Sequence, residues 1–141
     1  IVLDTNVLSE TLRPRPDARV LAWLASQPVA AVFTSTITRG EILYGVRLLP
    51  RGRRRDALQH AVITIFDEAF AKRTLPFDNH AADAFADIAA ARQAKGRPIS
   101  QFDAMIAAVT RSRGATLATR NIKDFSDCGI DLINPWTARR E

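Results

Sequence analysis

Apolar positions in this chain alternate between short continuous runs and helical spacing. Ile1-Val2-Leu3 runs without a break into Asp4, Thr5 and Asn6. A continuous apolar run bounded by polar residues suits a strand buried on both faces, as in a parallel sheet. Val29 to Phe33, Ala115 to Thr119 and Ile130 to Ile133 read as three further strands. Between them the spacing is helical. Pro16-Asp17 opens a helix carrying Val20, Leu21 and Leu24, and Pro28 stops it. Ser35-Thr36 turns the chain, and Thr38-Arg39-Gly40-Glu41 opens the next helix, with Ile42, Val46 and Leu49 at i, i+4 and i+7. Gly45 on that helix permits close approach of a neighbour.

A helix with Leu58, Val62, Ile65, Phe66 and Ala69 follows, and Leu75-Pro76-Phe77 interrupts the pattern. Asp78 or Asn79 caps a helix that buries Ala81, Phe85 and Ile88 and closes at Gly96. Ser100-Gln101-Phe102-Asp103 opens another, with Phe102, Ile106 and Val109 inward and Gly114 at its end; Asn121 to Phe125 is a helical turn. Strands and helices alternate at both ends around a helical middle. That order predicts an α/β fold, a three-layer α/β/α sandwich around a mainly parallel sheet, in one domain spanning 1–141.

Composition narrows the class. The 141 residues are 47% hydrophobic and 25% charged, which matches a globular domain with a real core. No apolar run reaches the length of a membrane span, and no signal peptide is visible. Cys128 is the single cysteine, so no internal disulfide can form, and a cytoplasmic setting is expected. The net charge is +5, and 17 of the 20 basic residues are arginine, the others being Lys72, Lys95 and Lys123. Guanidinium groups match phosphate oxygens, so a polyanionic partner is expected. The run Arg51, Arg53, Arg54 and Arg55 forms a basic loop that suits either a phosphate backbone or plain solvation.

The acids carry the chemistry. In open parallel sheets, ligands bind beyond the carboxyl ends of the strands. Asp4 ends the first strand. Glu41 lies on the first turn of the helix after the second strand, and Asp103 on the first turn of the helix feeding the third. Asn121 and Asp124 follow that third strand. Each acid also has a capping explanation, because Thr38-x-x-Glu41 and Ser100-x-x-Asp103 fit the capping box and Asp4 suits an N-cap. Three carboxylates at one edge repel one another, however, and oxygen-only ligands select magnesium or manganese over zinc. His60, His80 and Cys128 form no zinc pattern: they read as a surface histidine, a helix-cap histidine and a buried thiol. Trp23 and Trp136 read as core residues.

The stretches IVLDTNVLSE, TRGEILYG, FDAMIAA and LATRNIKDF…INPW, in this order from Ile1 to Trp136, resemble the successive motifs of the PIN-domain ribonucleases, above all the bacterial VapC-type toxins. That resemblance implies a magnesium- or manganese-dependent endoribonuclease acting on structured RNA such as tRNA or rRNA, homodimeric and neutralised by a cognate antitoxin. It carries Asp4, Glu41 and Asp103 onto the family's main acids, and Thr5, Asn6 and Thr119 onto the polar lining of its site. It departs at Asn121, where many members have aspartate, and Asp124 one turn on is a further candidate ligand. Two rivals stand beside it. One is a non-catalytic RNA-binding module whose metal site has degenerated at Asn121. The other is a phosphatase using Asp4 as nucleophile, which lacks the second acid it needs at Asn6.

Overall fold

In the computed structural model, which describes residues 1–138, five short strands lie parallel: β1 (Val2–Leu3), β2 (Thr34–Ser35), β3 (Thr74–Leu75), β4 (Thr116–Ala118) and β5 (Asp131–Ile133). The last three residues of the expected 1–141 domain lie outside the described residues. β1 pairs with β4 and β4 with β5, while β2 pairs with β3. A bridge between Val2 and Phe33 joins the two ladders, with Leu3 N–H on Phe33 O and Phe33 N–H on Ile1 O, both at 2.8 Å. The spatial order is therefore β3-β2-β1-β4-β5, and β1 is central.

Successive residues of a strand point to opposite faces, and the two apolar clusters divide on that rule. Leu3, Ala118 and Ile133 pack with α1 (Thr5–Thr11), α2 (Ala18–Ala25), α3 (Thr36–Arg47) and α4 (Arg53–Thr64). Val2, Leu117 and Leu132 pack with α5 (Asn79–Ala94) and α6 (Gln101–Ser112). Helices thus cover both faces, the three-layer arrangement expected from the order of elements. Buried Ala104, Ala107 and Ala108 keep the side chains of α6 short where it packs.

Several local expectations need correction. Val29 to Phe33 is not a strand: Val29–Ala31 is a 3₁₀ turn behind Pro28, and pairing begins only at Phe33 and runs into Thr34–Ser35. Thr38 does not cap α3. Ser35 does, its Oγ accepting from Thr38 N–H at 3.2 Å, so the helix begins earlier and Glu41 falls on its second turn. The basic loop is mostly helix, with Arg53, Arg54 and Arg55 forming the first turn of α4. Leu75 belongs to β3, whose edge position tolerates the following Pro76. Asp78, not His80, caps α5, through a 2.9 Å bond from Ala81 N–H.

Phe102 is 57% exposed, although it shares helical spacing with the fully buried Ile106 and Val109. Helical side chains lean toward the N-terminus, so on the opening turn of α6 Phe102 leans off the end of the helix. Gly45 has no neighbour within 4 Å of where a Cβ would stand, so no close approach explains it.

Two outcomes follow from this packing. Ile106→Ala should cost about 2–5 kcal/mol, and Phe102→Ala less than about 0.5 kcal/mol, in denaturant unfolding. Gly45→Ala should stabilise the protein by about 0.4–1 kcal/mol, because the site is helical and open; a loss would show that something packs on it.

Candidate active site

β1 delivers Asp4 to the carboxyl edge of the sheet while its backbone is still in the ladder, with Asp4 N–H on Ala118 O at 2.9 Å. The chain turns directly into α1, and Asp4 caps it: Oδ1 accepts from Thr5 N–H at 2.8 Å. Oδ2 accepts from the Thr119 hydroxyl, also at 2.8 Å, across from the end of β4. Asp4 thus caps α1 and still reaches across to the end of β4. The side chain is 4% exposed.

Thr5 is the next link. Its hydroxyl donates to Glu41 Oε1 at 2.8 Å and meets the Thr38 hydroxyl at 3.0 Å. Thr38 is fully buried and touches Ser35 Oγ at 3.4 Å. Expected as a cap, Thr38 is instead part of the floor under Glu41. On the other side, Asn6 donates to Thr119 Oγ1 at 3.5 Å and accepts from Arg120 N–H at 3.4 Å. Thr5, Asn6 and Thr119 are thus hydrogen-bonded around Asp4 and Glu41.

Asp103 arrives from α6, which runs back from the carboxyl edge before feeding β4. Ser100 caps that helix, its Oγ accepting from Asp103 N–H at 3.3 Å. The Asp103 carboxylate is left facing a small cleft with Arg92, Pro98, Ile99, Ser100 and Asp124. Arg92 is a residue that sequence reasoning missed. It is 5% exposed, and its guanidinium donates to the carbonyls of Arg97, Asp124 and Ser126 at 2.7, 3.0 and 2.9 Å. It ties the Asp124 turn to α5. Its signal was present: Arg92 follows Ile88 by four residues on the buried stripe of α5.

The electrostatics reflect this crowding. The Asp4 carboxyl is raised to about 6, chiefly by burial, against the hydrogen bonds from Thr119 and Thr5 and with a contribution from the charges of Asp103 and Glu41. Burial raises Glu41 too, opposed by the Thr5 hydroxyl and aided by Asp103. Asp103 is raised by burial, held down by Ser100, raised again by Asp124 and lowered by Arg92. Asp4, Glu41 and Asp103 thus share one field, with Asp124 at its rim. Among the described residues none of these three forms an ion pair with a lysine or arginine. Nor do any three His, Cys, Asp or Glu side chains among them stand close enough to enclose an ion as they lie.

The weaker candidates separate. Asn121 uses its backbone N–H on Thr119 Oγ1 at 3.0 Å and lines a neighbouring cleft with Arg120, Lys123 and Asp124. Arg54 lines a groove that starts at Thr5 and Glu41 and continues over Leu12, Ile42 and Leu49. Arg51, Arg53 and Arg55 line neither this groove nor the clefts around Asp103 and Asn121.

Comparison with known proteins identifies the family. The chain belongs to the PIN domain family, whose profile matches residues 1–129. It is 40% identical to the VapC ribonuclease Y4jK of Sinorhizobium fredii, over 96% of this chain and 97% of that one. It is 39% identical to the toxin FitB of Neisseria gonorrhoeae, over 96% and 98%. The crystal structure of FitAcB from Neisseria gonorrhoeae superposes with a TM-score of 0.91 at 38% identity, covering 97% of this chain and 99% of that one.

The burial of Asp4 makes a signed prediction. Its folded pKa lies above the unfolded value, so its contribution to stability is fully present below about pH 4 and is lost as pH rises through 6, by about 3 kcal/mol. Asn has the same shape and no charge. Asp4→Asn should therefore melt no lower than the parent at pH 8 in chelator, and any advantage should vanish on titrating to pH 4. A melting point well below the parent at pH 8 would mean that the carboxylate stabilises the fold.

Proposed function

We propose that this member of the PIN domain family is a metal-dependent endoribonuclease of the toxin class, working as one domain on structured RNA such as tRNA or rRNA. The observation that carries the reading is the set Asp4, Glu41 and Asp103: three carboxylates in one field, raised in pKa, none of them in an ion pair among the described residues. Kinship to a VapC ribonuclease and a toxin supports the substrate class.

The donor set fits a hard divalent cation, Mg²⁺ or Mn²⁺, since every candidate ligand is an oxygen. Asp4, Asp103 and Glu41 would hold it, with Asp124 as a further ligand. Bound there, it would supply charge for the phosphate and a more acidic water. The remaining work belongs to the chain. Thr5 fixes Glu41, Thr119 fixes one oxygen of Asp4, and Arg92 fixes the turn that carries Asp124. A carboxylate oxygen left free by the ion would orient the attacking water and take up its proton.

Among the described residues no helix is long and apolar enough to cross a membrane. A cytoplasmic setting belongs to the proposal, with the toxin class. Exposed Tyr44 and Leu48, one turn apart at the end of α3, support a protein partner there. A second copy, giving a homodimer, and a cognate antitoxin are the partners proposed.

Asp4→Ala and Asp103→Ala should each lower RNA cleavage by roughly 100-fold or more while leaving the fold intact, and chelator should stop the parent. RNA binding without cleavage in either metal would favour the non-catalytic reading that Asn121 raises. Asn121 offers a neutral oxygen where a carboxylate would bind metal more strongly. Asn121→Asp should therefore lower the magnesium concentration for half-maximal cleavage, and Asp124→Ala should raise it. Unchanged magnesium curves in both would remove these two residues from the metal site.

A further inference from the structure

The cleft beside the acids has the opposite character. It is about 420 Å³ in volume and is lined by Arg120, Asn121, Ile122, Lys123, Asp124 and Asn134. Its cations are placed by the site itself. Arg120 follows Thr119, whose hydroxyl holds Asp4, and the Arg120 N–H rests on Asn6. The guanidinium lies over the indole of Trp136, 5.0 Å from its centroid. Trp136 is 5% exposed, so its ring is held by packing, and its backbone N–H donates to Asn134 Oδ1 at 2.9 Å. Stacking occupies one face of a guanidinium and leaves its edge donors available.

Five other arginines have acid partners: Arg13 with Glu10, Arg19 with Asp17, Arg39 with Asp67, Arg97 with Asp127 and Arg113 with Asp78. Arg120 and Lys123 form no ion pair among the described residues, although Asp124 lines the same cleft. The charge of Asp124 also acts on Asp103. Two cations against one carboxylate leave the cleft net positive, next to an edge that is net negative.

We propose that this cleft is a phosphodiester subsite, in which Arg120 and Lys123 take a backbone phosphate of the RNA next to the one being cut. The proposal rests on the ribonuclease reading and adds to it the position of the neighbouring phosphate. A chain approaching the acids is repelled by them, so a cationic hold one phosphate away positions it. The Trp136 stack lowers the cost of ordering Arg120 before the RNA arrives.

The test uses a short labelled single-stranded RNA, its affinity measured by anisotropy in chelator across a salt series, with the salt slope of kcat/KM as the parallel measurement. Removing one cation that neutralises a phosphate of a single strand should reduce the slope of log affinity against log salt by about 0.7. Arg120→Gln and Lys123→Gln should each show that reduction and weaken binding several-fold, with the kinetic effect on KM. Arg111→Gln is the control. It removes the same charge from the opposite edge of the sheet, where Arg111 lines a cleft with Gly114 and Asp131, and should keep the parental slope.

Parental slopes in both Arg120→Gln and Lys123→Gln, or an equal reduction in Arg111→Gln, would overturn the subsite. A lower melting temperature in Arg120→Gln with a parental slope would assign Arg120 to packing on Trp136 and overturn it as well. If the parent cleaves no RNA in magnesium or manganese, the ribonuclease reading fails. If it cleaves but the variants keep the parental slope, the subsite alone fails.

Discussion

Asp4 is a carboxylate buried at the end of the central strand, bonded to one backbone N–H and one hydroxyl, with no cation beside it among the described residues. An ionised acid so placed is costly to keep charged, and its raised pKa measures that cost. The surrounding structure limits the cost. Asp4 caps α1, so one oxygen faces a helix N-terminus. Thr119 gives the other oxygen a donor from the adjoining strand. Asn6 and the Asn121 N–H hold Thr119 in turn. Replacing the Thr119 side chain would therefore act directly on Asp4.

The parallel sheet explains why residues so far apart in sequence converge. With all five strands pointing one way, the ends of β1, β2 and β4 and the helices beginning after β1 and β2 share one edge. Glu41 comes from a helix that begins there, and Asp103 from one that begins there before its strand. The strands are two or three residues long, so they contribute little beyond direction and register. Rigidity at the edge comes from hydroxyl and carbonyl contacts: the Thr5–Thr38–Ser35 chain under Glu41, and Arg92 spanning three carbonyls behind Asp124. Acid and base are thereby segregated at one edge. Carboxylates sit over the strand ends, and Arg120 and Lys123 stand on the turn immediately after β4.

By itself the sequence determined the alternation of helices with short strands, the mainly parallel sheet and the expectation that Asp4, Glu41 and Asp103 lie toward one edge, but neither α1 nor β3. These follow from local patterns: uninterrupted apolar runs, helical spacing, and polar residues at strand ends. Ser100, Asp78, Gly96 and Gly114 were readable as helix boundaries because capping and positive φ are properties of single residues and their neighbours. What tertiary structure decided depends on contacts between distant segments. Thr34–Ser35 is a strand only because Arg73 O and the Phe33–Val2 bridge lie alongside. Phe102 matches the spacing of a buried stripe, yet it is exposed because burial needs a partner, and the opening turn of α6 offers it none. Arg92 is polar by type and buried in fact, since three carbonyls from two loops converge on it. The electrostatic coupling of the three acids likewise belongs to the folded chain. Repulsion and desolvation depend on distance and enclosure, which no local pattern of residues specifies.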